Sequence, residues 1–172
     1  MKIQIIISFV LFTLTFPHTN ARSQQEDQTL IETTCNHTTK YQLCLDTIRA
    51  DPKSAGADLA GLGLIVIEAI KKKSKLALSA TKRLLRRHPE LAKPLQECAD
   101  VYKAVIKADY PVAVQAIRGN PKFAENGIAD VAVEAEYCEG AFKGVAKSPL
   151  TAENDAVKNL AVVARAIIRN LL

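Results

Sequence analysis

Apolar residues recur every three or four positions along four long stretches of this chain, and that spacing places them on one face of an α-helix. The four stretches cover residues 58–88, 91–119, 128–142 and 151–172. Asp58 is suited to cap the first stretch, and Pro89 is suited to end it. Four amphipathic helices with short connections predict an all-α, up-down-up-down four-helix bundle.

The composition agrees with close packing of helices. The chain has no Trp and only 5% aromatic residues, while Ala, Val, Leu and Ile are abundant. Small apolar side chains let helices approach each other closely, so a tightly packed bundle is favoured over a sheet. The length of 172 residues suits one domain with a single core.

The N-terminus has the pattern of a signal peptide. Lys2 supplies a short positive region, Ile3–Phe16 is almost entirely apolar, and Ala21 follows small residues that a signal peptidase reads. We predict a signal peptide over residues 1–21 and a secreted, soluble protein over residues 22–172, with no membrane as partner. The apolar run is shorter than the about 20 residues of a bilayer span, so an uncleaved anchor is the weaker alternative.

Four cysteines in the predicted mature part indicate two disulfides, because the secretory route is oxidising. Three pairings are open to them. We favour Cys35–Cys44, which are close together near the N-terminus, and Cys98–Cys138, which fall at core positions of separate helices. Asn36 begins the only N-glycosylation sequon, which makes it a candidate glycosylation site.

Two short helical segments precede the bundle. Residues 30–35 and 40–50 are predicted to form a helical hairpin that the first disulfide closes and Pro52 ends. The polar residues 23–28 before it are expected to be frayed. The mature chain therefore divides into an N-terminal hairpin, residues 22–52, and a four-helix bundle, residues 53–172.

Pro111 lies within the second long stretch and is expected to kink or break its helix. If the chain simply reversed at Gly119, Cys98 would lie about 30 Å from the reversal and Cys138 only about 18 Å from it. A disulfide could not bridge such an offset. We therefore predict a break near Pro111, an extended connection over residues 112–117, and the following loop at one end of the bundle.

The sequence shows no recognisable catalytic or metal site. The mature part keeps only His37 and His88 and has no CxxC pair, so we assign no metal, no cofactor and no catalytic residue. Acidic pairs such as Asp130 and Glu134 are interpreted as solvated surface, because a small bundle rarely offers a catalytic cleft. A bundle that binds a small apolar ligand is also disfavoured, since aliphatic side chains should fill the core.

Seven of the eight cations between residues 71 and 87 of the first long helix form what we call the basic band: Lys71, Lys72, Lys75, Lys82, Arg83, Arg86 and Arg87. Such a run is usually a solvated helix face. The alternative is attraction to an acidic polymer or an acidic protein surface, which salt would weaken. Nucleic acid is disfavoured as a partner, because the protein is expected to be exported and the band has no interleaved aromatic residues.

Pro121, Lys122 and Phe123 lie in the segment with the strongest content of helix breakers, residues 119–127, and are predicted to form a loop. A rigid proline, a cation on a flexible stem and an aromatic ring follow one another there. Such an element suits insertion into an acidic, aromatic-lined cleft. The alternative is a plain interhelical turn in which Phe123 folds back as a lid on the end of the bundle.

The chain resembles the plant invertase/pectin methylesterase inhibitor family over its whole mature length. The resemblance rests on the spacing of the four cysteines and on the segments Ile31–Cys35, Tyr41–Leu45, Pro121–Gly127 and Arg165–Leu172. It implies a four-helix bundle preceded by a hairpin, with the first cysteine paired to the second and the third to the fourth. It also implies a protein that inhibits other enzymes and has no catalysis of its own.

Within that family the Pro-Lys-Phe motif resembles the branch that inhibits acid invertases (β-fructofuranosidases) of the cell wall or vacuole. There the motif enters the sucrose site, so Pro121, Lys122 and Phe123 would form the core of the interface. The extra free cysteine of several pectin methylesterase inhibitors is absent, which favours the invertase branch. Inhibition of pectin methylesterase through a helical face is the alternative, and the resemblance implies the apoplast, or else the vacuole, as location.

Overall fold

A computed structural model describes the backbone of residues 18–172 and the side chains from residue 23 onward. The described chain contains α1 (His18–Asn36), α2 (Tyr41–Arg49), α3 (Leu59–Arg87), α4 (Ala92–Ala104), α5 (Tyr110–Ala116), α6 (Pro121–Gly140) and α7 (Thr151–Arg169). Short 3₁₀ turns cover Pro52–Ser54 and Pro89–Leu91, and Val105–Asp109 is π-helical. Residues 1–17 of the predicted signal peptide lie outside the described residues.

The predicted four-helix bundle is confirmed, with α3, α6, α7 and the continuous run from α4 through α5 as its members. α7 packs against α3 and α6, and α4 also packs against α3 and α6. A Cβ atom at Gly63 of α3 would lie 2.7 Å from Cδ1 of Ile117 and 3.5 Å from Cγ2 of Ile167. Helices therefore approach closely at Gly63, where an added Cβ atom would require the Ile117 side chain to shift.

The helix boundaries follow local sequence chemistry. The Asp58 carboxylate caps α3 by accepting a hydrogen bond from the Gly61 amide at 2.8 Å, as predicted, and α3 ends directly before His88-Pro89. The apolar residues of α6 and α7 that were predicted to face inward are buried, apart from the partly buried Leu171. Leu76 belongs to the apolar repeat from which α3 was predicted, but it is 60% exposed because it shares a helix face with the basic band.

Both favoured disulfides are present. Cys35–Cys44 joins the end of α1 to α2, with a Cα–Cα distance of 5.5 Å, and Cys98–Cys138 joins α4 to α6 at 4.7 Å. Asn36 is exposed at the end of α1 and remains a predicted glycosylation site. Among the described residues, no helix is long and apolar enough to cross a membrane.

The prediction that residues 23–28 are frayed is wrong, because these residues are part of α1. Their polar side chains are held by the chain that follows. Asp27 accepts a hydrogen bond from the Gly56 amide at 2.9 Å, and Arg49 of α2 donates to Gln28 and to Glu32. Contacts with later segments thus stabilise a helix whose own composition is polar.

The break predicted near Pro111 is also wrong. The helical backbone continues from α4 through the π-helical residues 105–109 into α5, so residues 112–117 do not form an extended connection. A π-helical turn accommodates the proline, which cannot donate a backbone hydrogen bond.

The offset between Cys98 and Cys138 disappears for another reason. α6 begins at Pro121, seven residues before residue 128, where the sequence pattern placed its start. Cys138 is therefore 17 residues, or about 26 Å, beyond the start of α6, and Cys98 is 18 residues, or about 27 Å, before the end of α5. The two cysteines lie at matching heights in neighbouring helices.

Candidate target-binding site

The motif Pro121-Lys122-Phe123 forms the first turn of α6, and its prediction as a loop is wrong. Asn120 caps the helix, since its side-chain oxygen accepts a hydrogen bond from the Phe123 amide at 3.1 Å. Pro121 occupies the first turn, where its fixed φ suits a helix and its missing N–H costs nothing. The residues that look like helix breakers in the sequence are therefore the ones that start the helix.

The motif presents its cation and its ring to solvent at one end of the bundle. The side chain of Lys122 is 63% exposed and Phe123 is 54% exposed. The alternative in which Phe123 folds back as a lid is therefore not observed. A flexible cation and an aromatic ring stand side by side on a rigid helical turn.

Glu125, one turn further along α6, gathers three cations around a single carboxylate. Its Oε2 lies 2.6 Å from Nζ of Lys122, and its Oε1 lies 3.0 Å from Nη2 of Arg165 and 2.9 Å from Nη2 of Arg169. Only 3% of Glu125 is exposed, whereas Lys122 and Arg169 are largely exposed. We call these four residues the Glu125 cluster.

The Glu125 cluster carries a net charge of about +2 at ordinary pH. Hydrogen bonds from Lys122, and then from Arg165 and Arg169, lower the pKa of Glu125 to about 2, although its burial acts in the opposite direction. The carboxylate is thus ionised at any mildly acidic pH. It restrains Lys122 and leaves two uncompensated positive charges beside the motif, which is an arrangement suited to carboxylates on another molecule.

Glu125, Arg165 and Arg169 were not predicted as site residues from the sequence, whereas the three motif residues were. Two signals in the sequence point to them. Lys122 and Glu125 are three residues apart, and Arg165 and Arg169 are four residues apart, so each pair shares a helix face. That these two faces meet depends on the packing of α7 against α6, which local spacing does not reveal.

Elsewhere the described structure offers less to a ligand. An open groove of about 940 Å³ lies beside α3 and α5, but two of its polar pairs are already satisfied. Asp58 and Arg118 form an ion pair at 2.7 Å, and the Tyr110 hydroxyl donates to Glu68 at 2.7 Å. Among the side chains of residues 23–172, no three metal-ligating groups come together. The first turn of α6 is therefore the candidate site.

One group of carboxylates differs from its predicted state. Glu134 of α6 is half-buried against Asp109 of the π-helical segment, so the interpretation of Glu134 as solvated surface is wrong, whereas Asp130 is exposed as predicted. Burial, followed by the nearby carboxylates of Asp109 and Asp130, raises the pKa of Glu134 to about 8. Burial likewise raises the pKa of Asp109. Between Asp109 and Glu134, a shared proton replaces the repulsion of two charges.

The protein should therefore lose stability as the pH rises from about 4.5 towards 8. A raised pKa means that the protonated form of Glu134 favours folding fully below about pH 4.5, and that this stabilisation is lost as the pH rises towards 8. Partial exposure reduces the effect, so we expect the free energy of unfolding to fall by about 1–3 kcal/mol over this range. Urea denaturation at several pH values measures it.

Glu134→Gln should flatten this pH dependence, because the amide imitates the protonated acid at every pH. Glu136→Gln is the matched control on the same helix, since Glu136 is exposed and lies 3.4 Å from Lys158. It should leave the pH dependence in place. An unchanged pH profile in Glu134→Gln would show that the buried pair does not set it.

Comparisons with known proteins agree with this architecture. The family model "Plant invertase/pectin methylesterase inhibitor" matches residues 29–167. The chain is 40% identical to the "Cell wall / vacuolar inhibitor of fructosidase 1" of Arabidopsis thaliana over 139 residues, covering 80% of this chain and 67% of that protein. It is 29% identical to the "Pectinesterase inhibitor" of Actinidia deliciosa over 138 residues, covering 77% of this chain and 73% of that protein.

The fold is also found among solved structures. The crystal structure of mutant form A of a pectin methylesterase inhibitor from Arabidopsis superimposes with a TM-score of 0.69 at 17% identity. The match covers 81% of this chain and 95% of that one. With most of its length matched, the chain belongs to the plant invertase/pectin methylesterase inhibitor family, and it is an enzyme inhibitor rather than an enzyme.

Proposed function

We propose that the protein is a reversible inhibitor of a plant acid invertase and competes with sucrose for the active site. The observation that carries the proposal is the exposure of Lys122 and Phe123 on a fixed helical turn beside two further cations. A relative that shares 40% identity is named as an inhibitor of fructosidase. The name and the geometry favour the same target.

In the proposed complex the first turn of α6 enters the substrate pocket of the invertase. Lys122 sits between the catalytic carboxylates of the target, and Phe123 covers them from water. Arg169, exposed at the mouth of the pocket, contacts acidic groups at its rim. Sucrose and the inhibitor then exclude each other because both occupy the same space.

The proposed location follows from the sequence and from the relative's name. A signal peptide over residues 1–21 would direct the protein into the secretory pathway. The relative at 40% identity is named for the cell wall and the vacuole, so we infer the apoplast, or else the vacuole, as the place of action.

Pectin methylesterase is the second candidate target. A relative at 29% identity is named as a pectinesterase inhibitor. Val133 and Tyr137 of α6 are exposed apolar residues that share the outer face of the helix with Phe123, so a helical face is available for such a contact.

The test is an inhibition assay of the purified protein against a cell-wall invertase, a vacuolar invertase and a pectin methylesterase, side by side. We expect inhibition of at least one invertase that a higher sucrose concentration overcomes, and no effect on pectin methylesterase. Inhibition of pectin methylesterase alone would transfer the function to the second candidate. Inhibition of invertase that sucrose does not relieve would contradict competition.

A further inference from the structure

The basic band is an uncompensated line of charge on the surface of α3. Between residues 69 and 87 the helix contains no acidic residue. Lys71 is partly buried, with its Nζ 4.0 Å from the centre of the Tyr110 ring and 3.9 Å from Glu68. The other six members are exposed, and none of them has a carboxylate within 4.0 Å among the described residues: Lys72, Lys75, Lys82, Arg83, Arg86 and Arg87.

These six cations form a straight stripe. At about 100° per residue they fall within an arc of about 140°, and from Lys72 to Arg87 they extend about 22 Å along the helix axis. The opposite side of the same helix is in the core, where Ile70, Ala77 and Thr81 are buried. The packing of α3 therefore fixes which way the stripe faces.

Helix stability explains only part of the stripe. Arg86 and Arg87 lie in the last turn of α3, where cations interact favourably with the helix dipole. Lys72, Lys75 and Lys82 lie more than a turn before that end, where the dipole has no effect on them. Like charges repeated along one face destabilise a helix when nothing pairs with them.

The stripe occupies the half of α3 that lies away from the candidate target-binding site. Arg118 binds Asp58 at the start of α3 and directly precedes the turn into α6, so Lys122 lies near the start of α3. Lys82 is 23 residues beyond Leu59, which places it about 35 Å along α3 from that end. A molecule bound to the end of the stripe would leave Lys122 accessible.

We propose that the basic band binds an extended acidic polysaccharide, a chain of carboxylated sugars, and so holds the protein in an acidic matrix while its other end stays free. A linear polymer of negative charges matches a straight stripe of cations in both charge and shape. This binding would retain the protein in the matrix whichever enzyme it inhibits.

Other polyanions fit the stripe less well. A membrane-bound helix inserts several large apolar residues, but Leu76 is the only apolar residue exposed on this face. Single-stranded nucleic acid is held by aromatic stacking, and α3 contains no aromatic residue. A chain of carboxylated sugars needs neither inserted apolar residues nor aromatic stacking, because its charge alone attracts it to the stripe.

The test is salt elution from a resin that carries polygalacturonate. One variant replaces Lys82, Arg83 and Arg86 with Gln, and a control variant replaces the exposed Lys40, Lys53 and Lys107 with Gln. Both lose three positive charges, and Gln preserves helix propensity in α3. Circular dichroism checks that both variants remain folded. An inhibition assay compares the inhibition constants of the two variants in the absence of polysaccharide.

We expect the wild type and the control variant to elute at similar, high salt concentrations, and the band variant to bind at least about tenfold more weakly. Fully methyl-esterified pectin should retain none of them, because its carboxylates are masked. Equal weakening of the two variants would overturn the proposal in favour of a net-charge effect. Failure of the wild type to bind, or stronger binding to phosphatidylserine vesicles than to polygalacturonate, would also overturn it.

Discussion

Replacing Lys122 with alanine should weaken inhibition of an acid invertase by about 30- to 1000-fold. An ammonium group that is enclosed among carboxylates contributes about 2–4 kcal/mol to binding, and its removal leaves those carboxylates buried without a partner. The fold should tolerate the change, because Lys122 is 63% exposed and Glu125 keeps Arg165 and Arg169. The inhibition constant measures the effect, and circular dichroism confirms the helical content.

Lys103→Ala is the matched control. Lys103 is also a helical lysine, and it pairs with an acid three residues away, Asp100, at 2.9 Å. Its removal should leave the inhibition constant unchanged. If Lys122→Ala folds normally and still inhibits at full strength, the proposed mechanism is wrong. An inhibition constant that stays flat from acidic to neutral pH would also count against it, since the lysine needs ionised carboxylates in the target.

Replacing Glu125 with glutamine should destabilise the protein and weaken inhibition at the same time. The substitution keeps the shape of the side chain but leaves Lys122, Arg165 and Arg169 facing one another without a carboxylate. Removing one partner from a buried ionic cluster is strongly destabilising, and we expect a loss of about 2–3 kcal/mol here because the cations are partly exposed. The midpoint of thermal unfolding should fall by about 5–10 °C.

A double variant separates this effect from a simple loss of hydrogen bonds. In Glu125→Gln/Arg169→Gln one of the opposing cations is gone, so part of the lost stability should return. If the double variant is less stable than Glu125→Gln by the full cost of Arg169→Gln alone, repulsion between the cations is not the cause.

The pH dependence supplies a second readout for Glu125. Its lowered pKa means that the carboxylate stabilises the fold fully above about pH 4.5, and that this stabilisation is lost as the pH falls towards 2. Acid should therefore destabilise the wild type more steeply than Glu125→Gln, in which other carboxylates still respond, among them Asp58, whose hydrogen bonds from Arg118 and Gly61 lower its pKa to about 2. The effect of Glu134 lies between pH 4.5 and 8, so the two groups can be measured separately.

The helices and their pairing by disulfides could be predicted, because both depend on spacing along the chain. The apolar positions of α6 and α7 repeat with the helical period, and Asp58 and Pro89 mark the ends of α3 by local chemistry. Segments whose structure depends on contacts with other elements were not predictable in this way. Residues 23–28 are helical because Gly56 and Arg49 hold them.

The candidate site was found only in part for the same reason. Proline and glycine disfavour a helix when they lie in its interior, so Pro121 and Gly127 predicted a loop. Pro121, however, lies in the first turn of α6, where proline is favourable. Gly127 is buried inside α6, where an added Cβ atom would lie 3.8 Å from the backbone oxygen of Asp109. The Glu125 cluster forms only because α6 and α7 meet in the fold, and Glu134 is half-buried only because the π-helical segment packs beside it. Neither contact can be predicted from the spacing of residues along one helix.

The continuity of α6 has a consequence for how tightly the motif can bind. A flexible loop loses conformational entropy when it enters a pocket, and that loss weakens binding. Here the backbone of Lys122 and Phe123 is ordered during folding, as part of a helix that Asn120 caps and that Cys138 ties to α4. If the motif binds as proposed, this entropy is already lost before the target is met, so little of the contact energy goes into ordering the backbone when the complex forms.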